Sequence, residues 1–170
     1  MKYSREKGFS VVESIIYLAL TALFMVLIID TLVSISGSYR KLTLARVLSH
    51  SASVSMERMT RELRTASDID PVGSVFDSDF GRVVLHTTDA NGVVGTVLFA
   101  LEDGAVVLYE NGVLTGRLTT LSASTTSLFL HFYDNGTSEA LSIDMTLEAT
   151  RGDETRVESF RTMVTLRNSP

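Results

Sequence analysis

The residue with the clearest potential for chemistry is Glu13, a single carboxylate at the start of a long apolar stretch. No other charged residue occurs until Asp30, and residues 14–29 are mostly apolar. An ionised carboxylate inside a membrane costs on the order of several kcal/mol unless it is paired or protonated. A carboxylate in such a position usually marks function, so we expect Glu13 to have a functional role. The plainer alternative is that Glu13 lies at the headgroup boundary and extends into water.

A second group of carboxylates, in the middle of the chain, could hold a cation. Its members are Asp68, Asp70, Asp77 and Asp79. Ca²⁺ takes several oxygen ligands, but these residues lack the spacing of an EF-hand. Because Asp is also common in turns, a solvated loop is the preferred interpretation, and no metal or other cofactor is expected.

The remaining polar residues do not indicate catalysis. His50, His86 and His131 are scattered, and no nucleophile, base and orienting group form a recognisable set. The absence of Cys excludes disulfide and thiol chemistry. Arg151-Gly152-Asp153 and Asn135-Gly136-Thr137 match an adhesion tripeptide and a glycosylation acceptor, but a turn explains each better. We therefore do not expect an enzyme.

Glu13 belongs to a long predicted helix that runs from about Phe9 to about Ser67. Residues 9–30 are apolar and long enough to cross a membrane. Residues 31–67 carry an apolar stripe at steps of three and four, which indicates one buried helix face. Its members are Leu32, Ile35, Tyr39, Leu42, Ala45, Leu48, Ala52, Met56, Met59, Leu63 and Ala66. Gly37, which lies among serines, is the predicted point of a bend.

Residues 68–170 are predicted to form a β-rich head. A loop is expected over 68–81, and alternating apolar residues predict strands at 82–87, 93–101, 105–109, 113–118, 128–133, 141–147 and 156–167. Tight turns are expected at Asn91-Gly92, Asp103-Gly104, Asn111-Gly112 and Asn135-Gly136. The predicted fold is α+β, with the helix stripe packed on one face of an antiparallel sheet.

Charge is distributed unevenly between the helix and the head. From Asp68 onward nine Asp and six Glu stand against six Arg and no Lys, whereas residues 40–64 carry six basic residues against two Glu. Solvated surfaces explain this pattern, and complementarity between the helix of one copy and the head of another is the alternative. An acidic head disfavours binding to nucleic acid.

The first residues resemble a known signal sequence. Gly8-Phe9-Ser10-Val11-Val12-Glu13, preceded by a basic leader, is similar to the class III signal of type IV prepilins and type II secretion pseudopilins. The resemblance implies that a prepilin peptidase removes residues 1–8 by cutting after Gly8 and methylates the amine of Phe9. It also implies that Glu13 and this amine guide assembly with other pilins at an inner-membrane platform. The alternative is an ordinary signal anchor that carries Glu13 by coincidence.

The same resemblance implies a location. The leader is basic, which favours a cytoplasmic N-terminus. The chain would then cross the cytoplasmic membrane once, with its head outside, and later enter a filament.

The helix end at 61–67 and the chain end at 160–168 are similar to minor pilins and pseudopilins of the PilW and pseudopilin-J type. The implied fold is the type IV pilin fold, and the implied function is that of a structural subunit, minor rather than major. The alternative function is a pilus-borne subunit that binds DNA for uptake or adheres to surfaces. Which filament system the chain serves stays open.

Overall fold

The computed structural model describes residues 10–88, 92–134 and 139–166. Within these ranges one helix precedes eight strands. The helix is α1 (Val11–Thr65), and the strands are β1 (Ala66–Val75), β2 (Arg82–Thr88), β3 (Val94–Glu102), β4 (Ala105–Glu110), β5 (Val113–Arg117), β6 (Ser124–Asp134), β7 (Glu139–Arg151) and β8 (Glu154–Thr165). The chain forms two compact units, Met1–Arg40 and Lys41–Pro170, and the second contains the rest of α1 and every one of these strands.

The long helix confirms the main structural prediction. α1 is helical without interruption through Gly37, the predicted point of a bend, where an added Cβ would meet nothing within 4 Å. It ends at Thr65, two residues earlier than expected. The Thr65 hydroxyl donates to the carbonyl oxygens of Arg61 and Glu62 at 3.2 and 3.1 Å, which satisfies backbone acceptors in the last turn.

The predicted loop over 68–81 is wrong for its first part. Residues 66–75 form β1, which pairs with β2 in antiparallel register through Ile69 opposite Leu85. Pro71 and Gly73, which suggested a loop, lie where the register shifts between Asp70 and Val75. A bulged edge strand tolerates both residues, because its outer side needs no ladder hydrogen bond.

The strands form two antiparallel sheets. One has the order β1-β2-β3-β4-β5 and the other the order β6-β7-β8. Each of the seven predicted strands after 81 is confirmed, with ends that differ from the prediction by at most four residues. Asp103-Gly104 and Asn111-Gly112 are tight turns with positive φ at both residues (48° and 68°, 51° and 79°), as predicted. Asn91 and Asn135-Gly136 lie outside the described residues.

Residues 76–81 join the two sheets. The amide of Asp77 donates to the Leu130 carbonyl and the amide of Gly81 to the Leu128 carbonyl, both at 2.8 Å. The Leu128 amide in turn donates to the carbonyl of Asp79 at 2.8 Å. The rings of Phe76 and Phe132 stack with centroids 5.3 Å apart. The second part of the predicted loop is therefore a paired connection that ties β6 to the five-stranded sheet.

The core of the second unit lies between the C-terminal part of α1 and the sheets. Five stripe residues are fully or almost fully buried: Leu48, Ala52, Met59 and Leu63 on α1, and Ala66 at the start of β1. They pack with sheet residues that include Leu85, Phe99, Leu130, Ile143 and Met145. The first four members of the predicted stripe (Leu32, Ile35, Tyr39 and Leu42) are 59–64% exposed, so the stripe is a packing face only in its later part.

Candidate functional site: the N-terminal apolar helix

The candidate site is the first turn of α1, where Ser10 and Glu13 lie. Ser10 precedes the helix, and its carbonyl accepts the first described helical hydrogen bond, from the Ser14 amide at 3.1 Å. Ser10 is therefore the N-cap, and Glu13 is the third residue of the helix. A negative charge at this end is favourable because the first amides point toward it. The sequence analysis did not identify this arrangement, although the Ser-x-x-Glu spacing is typical of a capping box.

Glu13 is exposed, and its side chain does not form a capping box with Ser10. Neither of the two reciprocal side-chain bonds of a capping box occurs between Ser10 and Glu13 in the described structure. Among residues 10–88, 92–134 and 139–166, no hydrogen bond or ion pair to the Glu13 carboxylate is found. No described residue of this chain therefore occupies the carboxylate. Gly8 and Phe9, the predicted processing residues, lie outside the described residues.

The apolar segment behind Glu13 is exposed along its whole length. Large side chains such as Ile15, Leu18, Phe24 and Ile28 are 58–72% exposed. The helix is long and apolar enough to cross a membrane, and none of its most apolar window is buried. At about 1.5 Å per residue, Glu13 and Asp30 are about 25 Å apart along the axis, close to the thickness of the hydrocarbon layer of a bilayer.

The hydroxyl groups of this segment are satisfied within the helix. Thr21 donates to the carbonyl of Tyr17, and Thr31 donates to the carbonyl of Leu27, each at 2.8 Å. A threonine with such an internal bond adds no unsatisfied donor to a lipid surrounding. The polar residues of the apolar segment that still require an external partner are thus the carboxylates rather than these threonines.

The four aspartates considered as calcium ligands have separate local contacts. Asp70 accepts from the Val72 amide and Asp79 from the Ser127 hydroxyl, both at 2.9 Å, whereas Asp68 is exposed on β1. Asp77, in a left-handed backbone conformation (φ 55°), contacts Nδ1 of His131 through its carboxylate. Within residues 10–88, 92–134 and 139–166, no three His, Cys, Asp or Glu side chains group as a metal site would require.

The other sequence candidates occupy turns and strands. Arg151-Gly152-Asp153 is the turn between β7 and β8, as predicted, with φ of 64° at Gly152. His50 lies on α1, His86 on β2 and His131 on β6, so the three histidines belong to different elements. Asn135-Gly136-Thr137 lies outside the described residues.

Charged side chains of α1 contact the head at defined points. Arg58 bridges Glu62 at 3.1 Å, as its spacing predicts, and also Glu110 on β4 at 2.7 Å. The spacing of Glu57 and Arg61 predicts a similar bridge, but it is not among the ion pairs of the described part of the chain. Arg161 of β8 donates to the carboxylate of Asp144 on β7, and this hydrogen bond and the Asp144 charge raise the pKa of the Arg161 guanidinium. Arg161 therefore stays charged.

Comparison with known proteins identifies no relative. Neither a family model, nor a curated protein, nor a solved structure matches the chain. The functional argument therefore depends on the residues and the fold.

Proposed function

We propose that this chain is a subunit of a type IV pilus or of a type II secretion pseudopilus, processed after Gly8 and assembled through α1. The observation that carries the proposal is the Glu13 carboxylate, which has no partner among the described residues and lies in the first turn of an exposed apolar helix that follows the Gly8-Phe9-Ser10 sequence. Cleavage would create an amine at Phe9, and on a straight helix such an amine would point along the axis, away from its own Glu13. The amine of a neighbouring copy, shifted along the axis, is the partner that we propose for Glu13.

The proposal includes a place in the cell. The apolar part of α1 would hold the chain in the cytoplasmic membrane, with the basic leader on the cytoplasmic side and the head outside. Assembly would then move the same helix from lipid into the interior of a filament. An exposed apolar surface suits both surroundings, because neighbouring helices can replace lipid without a change in the side chains.

A minor subunit is favoured over a major one. The described part of the head already contains eight strands in two sheets, and the end of the chain is similar to minor pilins of the PilW and pseudopilin-J type. We infer a position in the tip or initiation complex of the filament. The quantity of this chain relative to other pilins in sheared filaments tests this inference, and a dominant quantity would contradict it.

The decisive experiment replaces Glu13 with Val in the intact cell. We expect peptidase processing to continue, whereas incorporation into filaments falls below detection, because a buried amine without its carboxylate costs about 3–5 kcal/mol. Mass spectrometry of the membrane and filament fractions measures both steps. The matched control is Asp30→Val, which removes the other carboxylate of the apolar segment and should leave incorporation intact.

Two results would overturn the proposal. If the wild-type chain in cells retained residues 1–8, the processing step would be absent. If Glu13→Val entered filaments as efficiently as the wild type, the carboxylate would have no role in assembly.

A further inference from the structure

The edge strand β8 is the least protected edge of the two sheets. It pairs with β7 over twelve residues, from Arg151 opposite Glu154 to Ala140 opposite Thr165, without a shift in register. The other edges differ. β1 is bulged and contains Pro71, β5 has only five residues, and β6 is bridged by Phe80. Natural proteins protect sheet edges with bulges, prolines and short strands, so a long regular edge without them indicates a binding surface.

A groove runs beside this edge. It has a volume of about 720 Å³ and lies between α1 and β8. Met56 and Thr60 of α1 and Thr162 of β8 contribute to its lining, together with Arg61, Arg64 and Arg161. Neighbouring strands lie about 4.8 Å apart, so a strand added to β8 would lie in this groove.

The groove is basic although the head is acidic overall. Glu57 is the acidic residue among the side chains that line it. Arg61 and Arg64 are exposed, and within the described part of the chain neither forms an ion pair. Arg161 is paired with Asp144 on β7 but is itself 78% exposed. A ligand that brings carboxylates to this groove would therefore find two guanidinium groups that form no ion pair with a described residue.

We propose that β8 and its groove bind an extended acidic polypeptide segment, which adds to the sheet as a fourth strand beside β8. The backbone of such a segment would bond to the open edge of β8. Because side chains alternate along a strand, every second residue would face Arg61 and Arg64. The inference does not depend on the proposed function, since it concerns the second unit alone and needs neither cleavage nor a filament.

Nucleic acid is the competing ligand for a basic groove, and the structure favours polypeptide. Backbone pairing along an edge strand offers nothing to a phosphodiester, whereas it supplies most of the affinity for an extended peptide. A chemical change in the peptide probe can also show whether binding depends on backbone pairing. Methylation of alternate amide nitrogens removes the ladder donors of a peptide without changing its charge.

The test uses the full chain in non-ionic detergent and a short, blocked, fluorescent peptide of alternating Glu and Val. We expect this peptide to bind, and we expect the double variant Arg61→Glu with Arg64→Glu to weaken binding by about fivefold or more. The matched control is Arg46→Glu, an exposed arginine of the same helix outside the groove, which should bind the peptide like the wild type. Thermal unfolding of each variant checks that the head is intact.

Three comparisons decide the outcome. The same peptide with alternate N-methylated residues should not bind, and a peptide of alternating Lys and Val should not bind either. Equal binding of the N-methylated peptide would overturn strand addition. Failure of the Glu-Val peptide to bind, or binding of single-stranded DNA in its place with the same dependence on Arg61 and Arg64, would overturn the proposal as a whole.

Discussion

The acidic residues of this chain differ in whether they have a partner. Glu62 and Glu110 share Arg58, and Asp144 accepts from Arg161. Glu13 has no partner among the described residues, and an unpaired carboxylate is costly if this helix enters lipid. This contrast directs attention to a partner on another molecule, which is the basis of the proposed assembly role.

Tyr109 provides a test of one residue at alkaline pH. Its hydroxyl donates to a carboxylate oxygen of Glu102 at 2.8 Å, and this hydrogen bond, with smaller effects of burial and of the Glu102 charge, raises the pKa of Tyr109. The folded chain therefore holds the phenol proton more tightly than the unfolded chain. This contribution to stability is present below the ordinary tyrosine pKa of about 10 and is lost as the pH rises through the raised value.

We expect the difference in thermal midpoint between the wild type and Tyr109→Phe to be constant up to about pH 9 and to narrow above about pH 10. Circular dichroism of the detergent-solubilised chain at stepped pH measures this difference. In a Glu102→Gln background the narrowing should be much smaller, because the charge that favours the protonated phenol is gone. A constant difference up to pH 11 would contradict the assignment.

At the scale of elements, α1 combines two kinds of surface in one continuous helix. Residues 11–40 are exposed throughout or nearly so, whereas α1 from Leu44 to Leu63 contributes a buried face to the head. That face is not purely apolar. Ser51 and Ser55 are fully buried, and the Ser51 hydroxyl lies 2.7 Å from that of Thr120. The polar contact fixes the helix against the loop that follows β5.

The connection over 76–81 is the element that joins the sheets, and Gly81 allows it to approach β6. An added Cβ at Gly81 would clash with the Leu128 carbonyl oxygen and lie 2.9 Å from Cγ of Leu130. The clash involves backbone on a paired strand, so it cannot be relieved by rotation of a side chain. The glycine is required by this close approach and not by a positive φ.

We predict that Gly81→Ala lowers the free energy of unfolding by about 1–3 kcal/mol, because the connection must move away from β6. Gly116→Ala, on β5, is the matched control, since an added Cβ there meets nothing within 4 Å. The control should change stability by about 0.5 kcal/mol or less. Chemical unfolding measures the free energy of unfolding of both variants. Equal changes in the two variants would show that the close approach of residue 81 to Leu128 does not determine stability.

At the scale of the whole molecule, the chain consists of two units, of which one has a buried core and the other exposes an apolar surface. The buried core begins at Leu44 and uses residues of the second unit. The first unit contributes apolar surface that is exposed and suited to lipid or to other helices. The fold of the head should therefore not depend on residues 1–40.

We predict that residues 41–170 expressed alone give a water-soluble head with a thermal midpoint within a few degrees of the full chain in detergent. The reason is that this segment keeps every residue of the hydrophobic core. A chain that starts at residue 53 is the control, because it lacks Leu44, Leu48, Ser51 and Ala52, and it should not fold. Circular dichroism and thermal unfolding compare the three, and an unfolded 41–170 chain would contradict the division into units.

Several features of the chain follow from the sequence because they depend on local interactions. Continuous apolarity and the absence of proline before Pro71 predict the long helix. Alternating residues predict the strands after 81, and Asp103-Gly104 and Asn111-Gly112 predict tight turns because few residues accept positive φ. The Gly8-to-Glu13 pattern predicts the candidate site, although no described contact tests its role.

Tertiary structure alone decided the rest, because each remaining feature depends on partners distant in sequence. Ile35, Leu42, Leu48 and Leu63 belong to one stripe by periodicity, yet only the last two meet a sheet. Residues 66–75 contain Pro71 and become a strand because β2 supplies a ladder on one side and the other side is an edge. The division into two sheets, and the basic groove beside β8, likewise arise from the path of the chain and not from any local pattern.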